Sequence, residues 1–335
     1  MSEPLISVLL PAFDAAPTLP ACLRSLGRQT ETRWECVIAD DGSTDDTLAI
    51  GHAAARDDAR IRVHALPHRG LVATLNDALT GCRGRYVARM DADDLMHRER
   101  LAAQLALLES EPGFAAAGCH VRIFPRAHLG EGLRAYERWL ASIDSARRVR
   151  EDAFVESPLA HPSLLLRTAT LRDFGYRDMG WAEDYDLVLR LLAAGHEIGV
   201  VPRRLVCWRD HARRLTHTAD AYRIERFTTC KAHFLASGFL AASETYILWG
   251  YGHTGRALRR ALLPHGKRPS YIVELHRGRL GQTIHGAPVI PPEALDDVPR
   301  GPLLASVAGV EARTLIRGFL GPRGYEECRD FVCVA

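Results

Sequence analysis

Short apolar runs alternate, over the first hundred residues, with stretches whose apolar positions recur every three or four residues. Ile6-Ser7-Val8-Leu9-Leu10, the run 34–39, Ile61-Arg62-Val63-His64-Ala65 and the run 86–90 are the short ones. Runs of this length bounded by polar residues predict buried strands. Between them, residues 18–28 carry Leu19, Cys22, Leu23 and Leu26 at helical spacing, and 47–56 and 71–79 read likewise as helices. Strand–helix alternation of this kind predicts an α/β fold with a mainly parallel sheet. Further along, the pattern predicts a helix over 95–111 and a strand over 114–123. A helix over 132–146 follows, with Leu133, Tyr136, Leu140 and Ile143 as its apolar face, and then a strand-like stretch over 161–166. Leu187, Val188, Leu191 and Leu192 predict an amphipathic helix that Gly195 would cap. A short strand before Val206 and a helix over 219–235 complete this part.

The early strands end in polar residues: Pro11-Ala12-Phe13-Asp14, then Asp40-Asp41-Gly42-Ser43-Thr44-Asp45, then Asp91-Ala92-Asp93-Asp94. In open α/β sheets ligands bind beyond the carboxyl ends of the strands. Three carboxylates within four residues repel one another unless a cation or hydrogen bonds compensate. Magnesium is usually held by one or two carboxylates together with substrate phosphates, so Asp91-x-Asp93 suggests a metal–diphosphate clamp. The alternative is that Asp93 or Asp94 caps a helix beginning at Leu95.

These motifs, together with Gln29-Thr30, Arg69-Gly70 leading to Leu75-Asn76, and Ala88-Arg89-Met90 before the acids, occur in a characteristic order. In that order the chain resembles the inverting family-2 glycosyltransferases of the GT-A fold, over about the first 235 residues. Two departures stand out: Asp14 where the family carries Asn after an aromatic residue, and His68-Arg69 where it carries Asn before the glycine. The resemblance implies that Asp41 accepts a hydrogen bond from the uracil base, with Pro11 and Asp14 flanking base and ribose. Asp40 would order the turn. Asp93 would be the principal ligand of Mg²⁺ or Mn²⁺, with Asp91 near the ribose or reaching the metal through water. Arg89 would either meet the diphosphate or pair with Asp91.

The same resemblance aligns Glu183-Asp184 with the family's Glu-Asp pair, whose Asp is the general base. Transfer needs such a group, because the acceptor hydroxyl loses its proton as it attacks the anomeric carbon. Asp184 is thus the expected base and Glu183 the acceptor-positioning acid; plain charge at a helix N-terminus is the competing explanation. Trp181 would stack on a sugar or anchor the loop, and His161-Pro162-Ser163 matches a stretch that lines the site in the family. His211 resembles a position that completes the metal or diphosphate site. Arg209, Arg213 and Arg214 suit a leaving UDP, bidentate guanidinium–phosphate contacts being apt for it, or form a solvated basic loop.

Residues 237–244, small and polar at intervals, are the expected linker between a transferase domain over 1–236 and a Rossmann-like domain over 245–335. The latter opens with a strand and Gly250-Tyr251-Gly252-His253-Thr254-Gly255 before a helix, the context a dinucleotide fingerprint needs. A second strand, 271–274, ends in Glu274, 19 residues past Gly255. Gly250, Gly252, Gly255 and Glu274 therefore form a candidate nucleotide site, although the segment lacks room for a full doubly wound fold and any hydride-transfer centre. An NAD(P)-dependent oxidoreductase centred there, or a non-catalytic nucleotide-sugar-binding scaffold, are the alternatives to the transferase.

Bulk properties narrow the setting. The chain has 335 residues, 47% of them hydrophobic and 25% charged, as in ordinary globular proteins. A formal charge of +2 argues for no nucleic-acid partner. No run approaches the ~18 apolar residues of a membrane span. Eight scattered cysteines without a C-x-x-C pair fit reduced thiols. The expectation is a cytoplasmic enzyme, compatible with contact at the inner face of the membrane and with oligomers. Its expected partners are a nucleotide-sugar donor and a saccharide or lipid-linked acceptor, in cell-surface polysaccharide or glycolipid synthesis.

Overall fold

The computed structural model describes residues 3–335, which form two compact units. The first comprises the chain up to Val149, Pro158–Met179 and Glu183–His217. Its sheet contains β1 (Ile6–Ala12), β2 (Trp34–Asp40), β3 (Ile61–Ala65), β4 (Tyr86–Arg89), β5 (Leu95–Met96), β6 (Phe114–Phe124), β7 (Leu165–Arg167) and β8 (Glu197–Arg209). They lie in the order β3-β2-β1-β4-β7-β6-β8-β5. β3, β2, β1 and β4 run parallel, as do β6 and β8, while β7 and β5 are antiparallel to their neighbours.

Alternation along the strands sets the two faces. Ile6, Val8 and Leu10 of β1, Trp34, Cys36 and Ile38 of β2, and Tyr86 and Ala88 of β4 share one buried cluster. Leu19, Cys22 and Leu26 from helix Leu19–Gly27 and Leu101, Leu105 and Leu108 from helix Arg100–Ser110 cover it. Helix Leu71–Gly81 packs against β1 and β2 with Leu75, Ala78 and Leu79 buried. Because Ala12 pairs with Asp40 and Leu9 with Arg89, the first, second and fourth strands end at one edge. The three polar motifs that follow them are thereby gathered on that edge, as the alternation predicts.

Several boundaries differ from the sequence expectation. The helix expected from Leu95 begins only at Arg100, because Leu95-Met96 pairs with Cys207 and Val206 of β8. That removes the reading of Asp93 or Asp94 as a helix cap. The segment 132–146 breaks at Leu140, with a new helix at Ala146–Asp152. His161–Ser163 is a single 3₁₀ turn before β7. The short strand before Val206 is part of the 13-residue β8, which runs through Arg209.

The second unit comprises Arg150–Ser157, Gly180–Ala182 and Thr218–Ala335. Its strands are β9 (Thr245–Trp249), β10 (Arg268–Val273), β11 (Thr283–Ile284), β12 (Ala287–Ile290), β13 (Leu303–Ala305) and β14 (Phe331–Cys333), ordered β11-β12-β10-β9-β13-β14. All neighbours but the β11–β12 pair are parallel, and the order reverses between β9 and β13. The expected boundary at 237–244 is corrected here. Leu240 is fully buried in this unit's core, and Lys267 Nζ donates to the carbonyls of Leu240 and Ser243, at 2.7 and 2.8 Å. Lys231 Nζ donates to Val155 O at 2.6 Å, and Arg317 pairs with the buried Asp152, so segment 150–157 belongs to this unit. A sequence window cannot see such long-range anchors.

All eight cysteines are free thiols, six of them buried. Among the described residues no helix is long and apolar enough to cross a membrane.

Candidate active site

β4 delivers Arg89 to the sheet edge, and the turn after it carries Asp91, Asp93 and Asp94. Among the described residues, one oxygen from each of these acids lies within 4.8 Å of the others. Asp94 is wholly buried. Its Oδ1 accepts the Arg209 N–H at 2.6 Å, while Oδ2 is buried with no partner. Asp93 accepts from His211 Nε2 at 2.8 Å, and its main-chain oxygen accepts from Arg209 Nε at 2.7 Å. Burial, and then the Asp91 charge, push the Asp93 carboxyl above its ordinary range, with His211 opposing. Asp94 is pushed well up by burial and by both neighbouring acids. An orphaned buried carboxylate oxygen on Asp94, beside the Asp93 carboxyl and within reach of Asp91, is what a hard divalent cation would relieve, so the residues present fit Mg²⁺ or Mn²⁺.

Asp41 and Asp14 organise the neighbouring loops. Asp41 is buried, and its Oδ1 and Oδ2 accept the N–H groups of Arg69 and Gly70 at 2.9 and 3.0 Å, with His68 Nδ1 at 2.9 Å from Oδ2. Phe13 stacks on His68, ring centroids 4.4 Å apart. Asp14 adopts φ +46°, a left-handed conformation that Asp tolerates better than most residues. There its Oδ1 accepts from Thr44 N at 2.7 Å while its own N–H donates to Ser43 Oγ at 3.0 Å. Pro11 lies within β1 and is buried. Asp40 Oδ2 accepts from Ser43 N at 3.2 Å, the turn-ordering role expected of it.

Helix Glu183–Ala193 presents the second set of acids. Asp186, fully buried, is held by Arg177 and by Arg190 one turn on, at 2.8 and 2.6 Å, and so serves the fold. Glu183 is buried and Asp184 half-buried, its Oδ1 accepting from Tyr185 N at 2.7 Å. Burial, and then the Glu183 charge, push Asp184 up to about 7, with Arg89 opposing. Arg89 joins the two sets. It is 2% exposed, its Nη1 pairs with Asp91, and the Asp91 and Glu183 charges hold its guanidinium in the charged form against the cost of burial. Of its two expected roles, the structure displays the pairing with Asp91. The Arg89 charge thus acts on both Asp91 and Asp184.

Other expected residues are placed less centrally. Arg213 is exposed, and Arg214 lies over the Trp208 ring, 4.1 Å from its centroid. Sequence reasoning missed Arg100, wholly buried, whose Nη2 donates to Arg89 O at 2.9 Å and Leu164 O at 3.3 Å. It also missed Gln104, which accepts from Arg100 and donates to Ser163 O at 2.8 Å. The available signal was their i, i+4 spacing beside Leu101 and Leu105 on the buried face.

In the second unit, the glycine turn is explained by packing. Gly250 has φ +92°, and a Cβ there would lie 2.6 Å from Val307. A Cβ on Gly255 would meet Gly250 O at 2.3 Å, whereas one on Gly252 would meet nothing within 4 Å. The Glu274 carboxylate accepts from Leu275 N at 3.0 Å and Arg279 Nη1 at 2.8 Å in its own loop, and from Tyr251 N of the glycine turn at 3.3 Å.

The first unit is thus a mostly parallel sheet with acids gathered beyond its carboxyl ends, one cluster of which fits a cation. The family model "Glycosyl transferase family 2" matches residues 7–173. The amylovoran biosynthesis glycosyltransferase AmsE of Erwinia amylovora is 30% identical over 202 residues, covering 59% of this chain and 73% of AmsE. The chain belongs to glycosyl transferase family 2 and is a glycosyltransferase with the GT-A fold. Among solved structures, S. aureus TarS 1-349 in complex with UDP-GlcNAc superposes with a TM-score of 0.54 at 18% identity, covering 78% of this chain and 72% of that one. Mannosyltransferase PcManGT from Pyrobaculum calidifontis, in complex with GDP-Man and Mn²⁺, gives 0.51 at 18% identity, covering 97% and 82%.

Proposed function

We propose that the enzyme is an inverting, metal-dependent glycosyltransferase that moves a sugar from a UDP-sugar to a hydroxyl acceptor, in the assembly of a cell-surface polysaccharide or glycolipid. The observation that carries this reading is the link of Arg89 to two acid sets: it pairs with Asp91, and its charge acts on Asp184. One fits a cation, and the other contains Asp184, a carboxyl held at about 7. Asp93 and His211 would hold the cation, with Asp91 beside it. Bound there, Mg²⁺ or Mn²⁺ would neutralise charge on the leaving diphosphate. Asp41 and the loops it ties down would receive the base, and Arg209 stands next to the acid turn as a diphosphate contact. Asp184 would take the acceptor's proton while Glu183 orients that hydroxyl, an attack opposite the leaving group that inverts the anomeric carbon. UDP-GlcNAc in TarS, Mn²⁺ in PcManGT and the polysaccharide named for AmsE support donor, metal and acceptor class respectively.

In the second unit, the clashes a Cβ would make at Gly250 and Gly255, and a Glu274 carboxylate already tied to Tyr251 N, Leu275 N and Arg279, support packing as the work of the glycine turn. Thermal shift with UDP and UDP-sugars, with and without Mn²⁺, tests the donor reading. Ligand at a hundredfold its Kd adds about 2.7 kcal/mol to folded-state stability, which for a domain of this size is roughly 5–10 °C. A cation-dependent shift with UDP is expected; no shift with any uridine nucleotide would refute it.

A further inference from the structure

Half-buried Asn76 and buried Tyr176 and His161, which share no sequence motif, are joined by hydrogen bonds that lead to Glu183. Asn76 Oδ1 accepts the Tyr176 N–H and its Nδ2 donates to the Tyr176 carbonyl, both at 2.9 Å, so the tyrosine backbone is clamped from a helix 100 residues away. The Tyr176 hydroxyl lies 3.0 Å from His161 Nε2. On the other side of the ring, His161 Nδ1 lies 3.6 Å from Glu183 Oε1. Both side chains of that contact are only 5–6% exposed.

Electrostatics chooses the tautomer. Burial, with the Arg89 charge next, lowers the proton affinity of His161, so the imidazole is neutral and carries one N–H. Were that proton on Nε2, the bare Nδ1 lone pair would face a carboxylate oxygen, which is repulsive. With the proton on Nδ1, the N–H dipole points at Glu183, and Nε2 accepts from the Tyr176 hydroxyl, which burial keeps protonated. The second arrangement gives Nε2 a donor at 3.0 Å and turns the Nδ1–H dipole toward the Glu183 charge.

We propose that Tyr176 and His161 are positioning residues of the transfer reaction: the tyrosine hydroxyl fixes the Nδ1–H tautomer of His161, which aims the Glu183 carboxylate at the acceptor. This rests on the reading of Glu183 and Asp184 as the acceptor-positioning acid and the base. The three groups come from the 3₁₀ turn at His161–Ser163, the loop after helix Thr168–Phe174 and the start of helix Glu183–Ala193, so tertiary contacts bring them together.

Imidazole ¹⁵N NMR on the full chain tests the relay without any ligand, with the His161 signals identified by their loss in His161→Asn. The expected result is a protonated Nδ1 near neutral pH, with Tyr176→Phe shifting the population toward Nε2–H. An Nε2–H ring in the wild type, or a tautomer indifferent to Tyr176→Phe, would overturn the proposal. Release of UDP from UDP-GlcNAc in the presence of Mn²⁺ gives the second readout. Tyr176→Phe should lower kcat about tenfold while the donor KM stays within twofold, comparable to the loss of one oriented hydrogen bond. His161→Asn, which keeps a donor near the Nδ1 position, should retain more turnover than His161→Phe. Should Tyr176→Phe fail to fold, that pair decides, and equal turnover in both counts against the relay. An inactive Asp184→Asn beside a Tyr176→Phe of wild-type kcat would refute the relay and spare the base. An active Asp184→Asn would remove the base reading and with it the relay's catalytic role.

Discussion

Replacing Asp184 by Asn separates the chemistry of the site from its fold, and the structure sets the size of both effects. The carboxyl is held at about 7, against an ordinary value of ~3.9, chiefly by burial. If it is the base, turnover follows its ionised fraction, which rises from roughly a tenth at pH 6 to roughly nine-tenths at pH 8, so kcat should climb about tenfold over that range. Asn keeps the shape and cannot accept the proton, and the loss expected of a positioned base is ~10²–10⁴-fold at pH 8. Stability should move the other way. A carboxyl whose folded value is raised stabilises the fold below about pH 4, and that contribution is lost progressively as pH rises to about 7. After allowance for partial exposure, the cost of ionising Asp184 in the folded chain is on the order of 2–4 kcal/mol. Asp184→Asn should therefore unfold at a higher temperature than the wild type at pH 8, with the gap narrowing toward pH 4. The assays are UDP release from UDP-GlcNAc between pH 5.5 and 8.5 and calorimetric melting at pH 4, 6 and 8. A variant that keeps wild-type turnover, or one less stable than wild type at pH 8, would refute the reasoning.

Other substitutions probe the frame around the site. Asp186→Asn, which weakens a buried carboxylate pinned by Arg177 and Arg190, should cost about 3 kcal/mol in urea melts; an unchanged midpoint would contradict its structural role. Gly255→Ala should destabilise the second unit by roughly 2–4 kcal/mol, because its methyl meets the Gly250 carbonyl. Gly252→Ala, facing open space, should melt within about 1 kcal/mol of wild type. Equal melting of the two glycine variants would show that the clash is relieved by backbone movement.

Much of the first unit was legible because its strands are short and apolar and its helices carry regular stripes, as in Ile6–Ala12 and Leu19–Gly27. The gathering of Asp41 and the Asp91–Asp94 turn on one edge followed from parallel topology alone. What sequence patterning could not reach was set by long-range contact. Leu95-Met96 sits beside a helical run, and only pairing with β8 makes it a strand. Asp184 and Asp186 look alike along the chain, yet one is half-buried beside Glu183 and the other is locked by two arginines from different elements. The reach of Arg89 to Asp184, and the Tyr176–His161 contact between a loop and a 3₁₀ turn, lie beyond any sequence window of helical or strand period. The two-unit division was misjudged for the same reason: Asp152 and Val155 are anchored by Arg317 and Lys231.

The convergence of cation, donor and base is tested most directly by anomalous scattering from crystals of the full chain grown with Mn²⁺ and UDP-GlcNAc. The account predicts a single manganese peak on Asp93 at the diphosphate, with the Asp184 carboxylate facing the anomeric carbon from the side opposite the leaving group. Manganese bound away from the Asp91–Asp94 turn, or a donor sugar whose anomeric carbon lies out of reach of Asp184, would contradict it.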